Sequence, residues 1–421
     1  MRPYNRRDFL QHASLAGAAA MISARYAFAA GAPGDARFVC VILRGALDGL
    51  SAVPPHGDPD YARLRREIAI GVPGSSGGAL PLDGTFGLNP GLAFLHDRYD
   101  AKELVVFHAV ASPYRERSHF DGQNALENGT PVANGAQSGW LNRALVALPA
   151  AARRSRESGV ALGQNVPLVM RGSAPVASWS PSTLPALDDD TLQRIADRYA
   201  SDPLLSQRFA AALATDAIAD AAQADAGTGA GADTPMSPLQ GAAAGGGNRL
   251  AAYTETVRTA AGFLKRDDGP AVAVFDTTGW DTHANEGNGQ GQLTTRLRAL
   301  DEGLKTLKEQ LGPVWQRTAV LVVTEFGRTA AANGTRGTDH GTGAAAFLVG
   351  GAVAGGRVIA DWPGLSAQSL YQGRDLNPTL DLRAVMKSVL ADHLGVPRTA
   401  LDGDVFPQSA AVKPLTGLIR S

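Results

Sequence analysis

The chain is poor in three things that would narrow its class. It has a single cysteine, Cys40, among 421 residues, so it can form no internal disulfide. Cys40 lies in the apolar run Phe38 to Leu43, where a thiol reads as a small buried core group rather than a reactive one. It has no excess of charge: 39 Lys and Arg face 40 Asp and Glu, a net of −1. Nucleic acid as the main partner is excluded on that ground, because it needs a dense basic face. Beyond the N-terminal segment it has no run long and apolar enough to span a bilayer.

What is present begins at the N-terminus. Asn5-Arg6-Arg7-Asp8-Phe9-Leu10 places an arginine pair before Phe-Leu, the core of a twin-arginine signal. An Ala- and Gly-rich apolar stretch from Ala13 to Ile22 follows, then the small-x-small site Ala27-Phe28-Ala29. These ordered features predict a signal peptide over residues 1–29, set aside from fold reasoning. Export by this route predicts a periplasmic or secreted protein, with the twin-arginine translocon as its partner in transit. The route carries folded passengers, and loading a metal or cofactor beforehand is a common reason to use it.

The remaining length suits one large domain, residues 36–415, with an insertion. Short continuous apolar runs read as strands buried on both faces. They are Phe38 to Leu43, Leu104 to Phe107, Ala271 to Phe275, Ala319 to Val323 and Ala345 to Val349. Between the third and fourth, Leu293, Leu297, Leu300, Leu304, Leu307 and Leu311 mark one helical face. Strand, helix, strand predicts an α/β fold, a mostly parallel central sheet with helices on both faces. Residues 150–225 are Ala-rich and read as a helical insertion or cap. Residues 226–247 read as a Gly/Ala-rich linker.

Ligands of open parallel sheets bind at the carboxyl ends of the strands, and these ends are rich in chemistry. Arg44 and Asp48 follow the first run. Arg115, Arg117, Ser118 and His119 follow the second. Asp276, Asp281 and His283 follow the third, and Glu325 and Arg328 the fourth; Asp339 and His340 precede the fifth. Carboxylate with imidazole is the ligand set of zinc, manganese or iron, and of mixed sites with harder ions. Zinc is expected first, with manganese, calcium or magnesium as alternatives, and one or two ions. Arg44, Arg115, Arg117 and Arg328 at the same edge can fork onto phosphate or sulfate oxygens. Ser118, at the start of a helix over residues 119–128 closed by Gly129, is the candidate nucleophile. A metal-activated water is the alternative, and a plain N-cap is the non-chemical reading of the same serine.

With these residues on the page, the chain resembles the twin-arginine-exported family known as domain of unknown function 1501. The carrying segments are Arg44-Gly45 to Asp48-Gly49, Arg117-Ser118-His119-Phe120, Gly279-Trp280-Asp281-Thr282-His283, Thr324-Glu325-Phe326-Gly327-Arg328 and Thr338-Asp339-His340-Gly341. That family looks like a branch of the alkaline phosphatase and sulfatase superfamily, whose sheet carries two metal ions at its edge. The resemblance implies Asp48, Asp276, Asp281, His283, Glu325 and His340 as ligands, Ser118 as nucleophile and Gly129 as the glycine closing its helix. The superfamily usually has Asp-His where this chain has Glu325-Phe326. The second metal thereby loses a histidine unless His119 or Asp339 replaces it. The expectation is an exported metal-dependent hydrolase of phosphate or sulfate esters, small or polymer-borne. Arg44, Arg117 and Arg328 would grip the ester oxygens. The alternative is a catalytically degenerate metal- or ligand-binding protein on the same fold.

Overall fold

A computed structural model describes residues 35–153, 157–181, 189–225 and 246–420. The expected signal peptide lies outside the described residues, as does all but the last two residues of the expected linker. Strands are β1 (Arg37–Arg44), β2 (Leu80–Pro81), β3 (Gly87–Leu88), β4 (Leu104–Ala111), β5 (Gly159–Leu162), β6 (Val176–Trp179), β7 (Val272–Thr278), β8 (Thr318–Thr324), β9 (Ala344–Val349), β10 (Arg357–Ile359) and β11 (Leu380–Asp381). β2 and β3 pair by themselves. The others form one sheet in the order β10-β4-β9-β8-β1-β7-β5-β6, with β11 also pairing β4. Pairings are parallel except those of β9, which runs antiparallel to β4 and β8. The fold is therefore α/β, on a large mixed sheet that is mostly parallel.

All five apolar runs are strands. Residues 150–225 are helical over Asp189–Tyr199 and Pro203–Asp225 but not throughout. β5 and β6 lie within them and extend the main sheet beyond β7. They are four residues each, too short for an apolar run to stand out from an Ala-rich background. The longer helices are α1 (Ala93–Asp100), α2 (His119–Asn128), α3 (Trp140–Ala147), α4 (Asp189–Tyr199), α5 (Pro203–Asp225), α6 (Gly246–Lys265), α7 (Gln292–Leu311) and α8 (Leu382–Asp392). No helix among the described residues is long and apolar enough to cross a membrane.

Alternation along each strand sends side chains to opposite faces, and each face has its own core. Val39, Val41 and Leu43 pack with Val257 and Leu264 of α6 and with the six leucines of α7. Phe38, Cys40 and Ile42 pack with Trp140, Leu141 and Leu145 of α3 and with Val385, Met386 and Val389 of α8. Helices thus cover both faces. Cys40 is buried among them, and burial pushes its thiol up to about 12.

Register decides what meets at the edge. Leu43 lies opposite Thr324, and Arg44 opposite Thr278, so β1, β7 and β8 end side by side. Because β9 is antiparallel, its first residue, Ala344, lies opposite Val110 near the end of β4. The segment before β9 therefore arrives at the edge where the parallel strands finish. Gly45 (φ 121°) is needed there: a Cβ on it would stand 2.7 Å from the backbone N of Asp281. Its bare backbone lets the loops after β1 and β7 close together.

Candidate metal centre

Three loops and one helix start converge beyond the carboxyl edge. Thr338 N donates to Thr282 O at 3.1 Å, and Arg328 and His340 form a bridge. These contacts zip the loop after β7, the loop after β8 and the segment before β9 together. From β4 the chain reaches Arg117, held left-handed at φ 60°. Ser118 occupies the N-cap position, and His119 opens α2. The strained turn at Arg117 turns its carbonyl to His340, whose Nδ1 donates to it at 2.9 Å.

The histidines share one pattern. His119 Nδ1 lies 2.8 Å from Glu325 Oε1, and His283 Nδ1 lies 3.3 Å from Asp339 Oδ1. A carbonyl or an ionised carboxylate accepts only, so the ring proton in each neutral histidine sits on Nδ1 and Nε2 keeps a lone pair. All three Nε2 atoms then face Asp281. His283 Nε2 is 3.0 Å from Asp281 Oδ1, and His340 Nε2 is 3.3 Å from it. His119 Nε2 is 3.4 Å from Asp281 Oδ2 and has no hydrogen-bond partner. The Nε2 atoms of His283 and His340 are 3.0 Å apart. Ligand atoms of His119, Asp281 and His340 all fall within 4.8 Å of one another. Lone pairs and a carboxylate aimed at one point repel unless a cation or protons lie between them.

Electrostatics follow from these contacts. The hydrogen bond to Glu325 holds the His119 imidazole above its ordinary value, against the opposing effect of burial. Burial lowers His340, partly offset by its bond to the Arg117 carbonyl. Burial by itself would raise Asp281, but the hydrogen bond and charge of Arg328 hold it below the carboxylate range. Glu325 is held low against burial by donors from His119, Gln123 and the Gly45 backbone. Asp339 is held low first by Asn333 and then by His283. Side chains of Asp281 and His283 remain 40% and 46% exposed, so an external ligand can reach the cluster.

Of the residues expected at the ion, the structure brings together His119, Asp281, His283 and His340. Glu325 and Asp339 stand one step behind, as acceptors for His119 and His283. Glu325 has no oxygen free for an ion: Oε1 takes Gly45 N at 2.8 Å, His119, and Gln123 Nε2 at 3.2 Å, and Oε2 takes Thr324 Oγ1 at 2.9 Å. Asp48 stands apart. It is buried, caps the short helix Gly49–Ala52 through Leu50 N and Ser51 N, and is paired with Arg65. Asp276 is likewise paired elsewhere, with Arg44. The first is taken by the short helix and a buried guanidinium, the second by the arginine facing it across β1 and β7, so neither carboxylate is presented to the histidines.

The arginines are taken up by protein acids. Arg44 pairs with Asp276 and, at 2.7 Å, with Glu127; Arg117 pairs with Asp375 at 2.7 Å; buried Arg328 pairs with Asp281. Arg115 donates to the carbonyls of Ser112 and Tyr114. Ser118 is half-buried and its hydroxyl makes no capping bond. Gly129 closes α2 in the left-handed region, φ 73°, as the sequence predicts. Arg65, Glu286 and Thr338, to which the strand-end pattern gives no role, form a buried polar layer beneath Arg328. None follows a strand directly, so the strand-end rule passes over them.

Fold and geometry together define an α/β protein with a candidate metal cluster of His119, Asp281 and His340 at a sheet edge, with His283 beside it. The chain belongs to the family described as "Protein of unknown function (DUF1501)", which residues 107–405 match. The match contains all four converging residues, and Arg44 and Asp48 precede it. None of the curated proteins compared with the chain matches it. Among solved structures, one titled "Crystal structure of Ps i-CgsB" is similar over 90% of this chain and 77% of that chain, at 10% identity and a TM-score of 0.39. A likeness of that size carries no argument about function.

Proposed function

We propose that this is an exported protein that holds a single divalent cation on His119, Asp281, His283 and His340 and hydrolyses a phosphate or sulfate ester there. The observation that carries the reading is the shared orientation of the histidines. Each Nδ1 is anchored on an oxygen acceptor and each Nε2 is turned to Asp281. Metal-binding histidines are usually backed in this way. Three imidazoles to one carboxylate favour zinc, then manganese or iron, over calcium or magnesium. The resemblance to the alkaline phosphatase and sulfatase superfamily supports the ester substrate, and the twin-arginine start supports loading before export.

A divalent cation bound here would lower the proton affinity of a water molecule and make it a nucleophile. The chain's own part is to orient and to screen. Glu325 and Asp339 fix the imidazoles, Arg328 holds Asp281, and the half-exposed rim admits substrate. A second reading, a binding protein without turnover, is favoured by the arginines. Arg44, Arg117 and Arg328 already face protein carboxylates, which leaves them poorly placed to grip an ester dianion.

The test is metal quantitation on protein purified after native export, beside His119→Ala and His340→Ala, with a screen of aryl phosphate mono- and diesters and aryl sulfates. The expected result is one equivalent of zinc-class metal in the wild type and loss in both variants. Metal content unchanged in both variants would overturn the centre. Stoichiometric metal with no turnover on any ester would select the binding reading.

A further inference from the structure

Behind the cluster lies a buried polar layer that presents no group to the histidines. Asp48 and Glu286 are both buried, and one guanidinium, Arg65, faces the pair. Asp48 is richly supplied. Oδ1 accepts from Leu50 N at 3.0 Å and Ser51 N at 3.1 Å, and Oδ2 takes Arg65 Nη2, with Thr338 Oγ1 at 3.4 Å. Glu286 is not. Oε2 takes the hydroxyls of Thr282 at 2.9 Å and Thr338 at 3.1 Å, while Oε1 has no hydrogen-bond partner and stands 3.6 Å from Arg65 Nη2.

Charge counting sharpens the contrast. Arg65 directs Nη2 to Asp48 and Ser51, and Nη1 to the Thr329 and Ala330 carbonyls. Arg328, the other cation close by, is committed to Asp281. A second ionised acid here would be a buried charge without compensation, and a group so placed takes up a proton instead. We infer that Glu286 is kept as the neutral acid beside ionised Asp48, and that this pair is a positioning device for the cation centre, acting through Thr338 and Arg328 on Asp281. The direction of the Glu286 shift, pushed up to about 8 chiefly by burial and then by the charge of Asp48, is in keeping with this.

The route is short. Thr338 Oγ1 accepts from Arg328 Nε at 3.1 Å, and the Thr338 carbonyl accepts from Arg328 Nη2, which leaves Nη1 to hold Asp281. A hydroxyl that accepts from Arg328 must send its one proton toward the acids. The acid pair therefore sets the Thr338 rotor, and Thr338 sets the guanidinium. The protonation of Glu286 stands on the pair alone; the positioning role rests on the cation reading above.

The two parts are tested separately on the full exported protein. First, infrared difference spectra at pH 7 of wild type against Glu286→Gln should show the carbonyl band of one neutral buried carboxylic acid, absent in the variant. No such difference would overturn the assignment whether or not the protein binds metal. Second, with cobalt(II) as probe, Glu286→Gln, which mimics the neutral acid, should keep the affinity within about twofold. Thr338→Val should weaken it about tenfold or more and shift the d–d bands, as changes behind a ligand commonly do. Asp48→Asn should cost more thermal stability than Glu286→Gln. Equal losses at Asp48 and Glu286 would overturn the unequal charge assignment, and a Thr338→Val protein with wild-type cobalt spectrum and affinity would overturn the positioning role.

Discussion

Replacing Glu325 by glutamine isolates what a charge behind a ligand does. The side chain is buried and keeps its shape. A glutamine amide oxygen in the place of Oε1 can still accept from Gly45 N, Gln123 and His119 Nδ1. Its NH2 would face Thr324 Oγ1, whose own proton can go to the Leu43 carbonyl 2.8 Å away. Geometry is thus largely retained while the negative charge behind His119 is lost. Removing such outer support commonly costs ~10- to 100-fold in metal affinity, which is ~1.4–2.7 kcal/mol. The assay is competition of zinc against a chromophoric chelator at pH 7.5, with NMR titration of His119 in the metal-free protein. The hydrogen bond to Glu325 is the leading cause of the raised His119 imidazole, so its pKa should fall in the variant. A histidine raised on folding stabilises the protein fully below its unfolded value, about 6.5, and that contribution is lost as pH rises through the folded value. Metal-free wild type should therefore lose stability between pH 6 and 8 by more than the variant does. Wild-type zinc affinity together with an unmoved His119 would refute the argument.

Arg117→Ala removes the partner of buried Asp375. Arg374 stands 3.8 Å from the other oxygen, so the loss should be about 2–3 kcal/mol in urea denaturation, somewhat under the usual cost of breaking a buried pair; a raised KM for an anionic ester at unchanged stability would show that the guanidinium serves substrate instead. Leu297→Ala on α7 empties a fully buried site and should cost about 2–5 kcal/mol, whereas a change below about 1 kcal/mol would mean that this face is not core. Ser118→Ala deletes a hydroxyl that makes no cap bond, so chemical denaturation should move by no more than ~0.5 kcal/mol and ester turnover should persist; loss of turnover with metal retained would make the serine the nucleophile. Acidification from pH 7 to 5 should release the cation as protons compete for the imidazoles, and metal retained at pH 5 would contradict a three-histidine centre.

The parallel-strand signature, the six-leucine face of α7 and the α2 helix with its glycine stop were legible because each is local. Apolar runs of four to six residues, a 3.6-residue period and a left-handed stop at Gly129 need no distant partner to be expressed. The same holds for the inventory at the strand ends, which already contained His119, Asp281, His283 and His340. The extent of the sheet was less legible: β5 and β6, short and embedded in an Ala-rich stretch, are strands only because β7 offers an edge to pair with. The division of labour at the site was not legible at all. Asp48 and Asp281 are both acids just beyond strand ends, and nothing nearby in the chain distinguishes them. What separates them is that Asp48 is buried against Arg65 while Asp281 opens toward three imidazoles. Glu325 likewise has the chemistry of a ligand, yet both its oxygens meet donors from the loop after β1, from α2 and from the last residue of β8. Sequence alone therefore determined which elements form and which chemical groups reach the edge. Only the tertiary structure decided which of those groups face one another, because burial, charge compensation and the direction of a lone pair are properties of neighbours brought in from far along the chain.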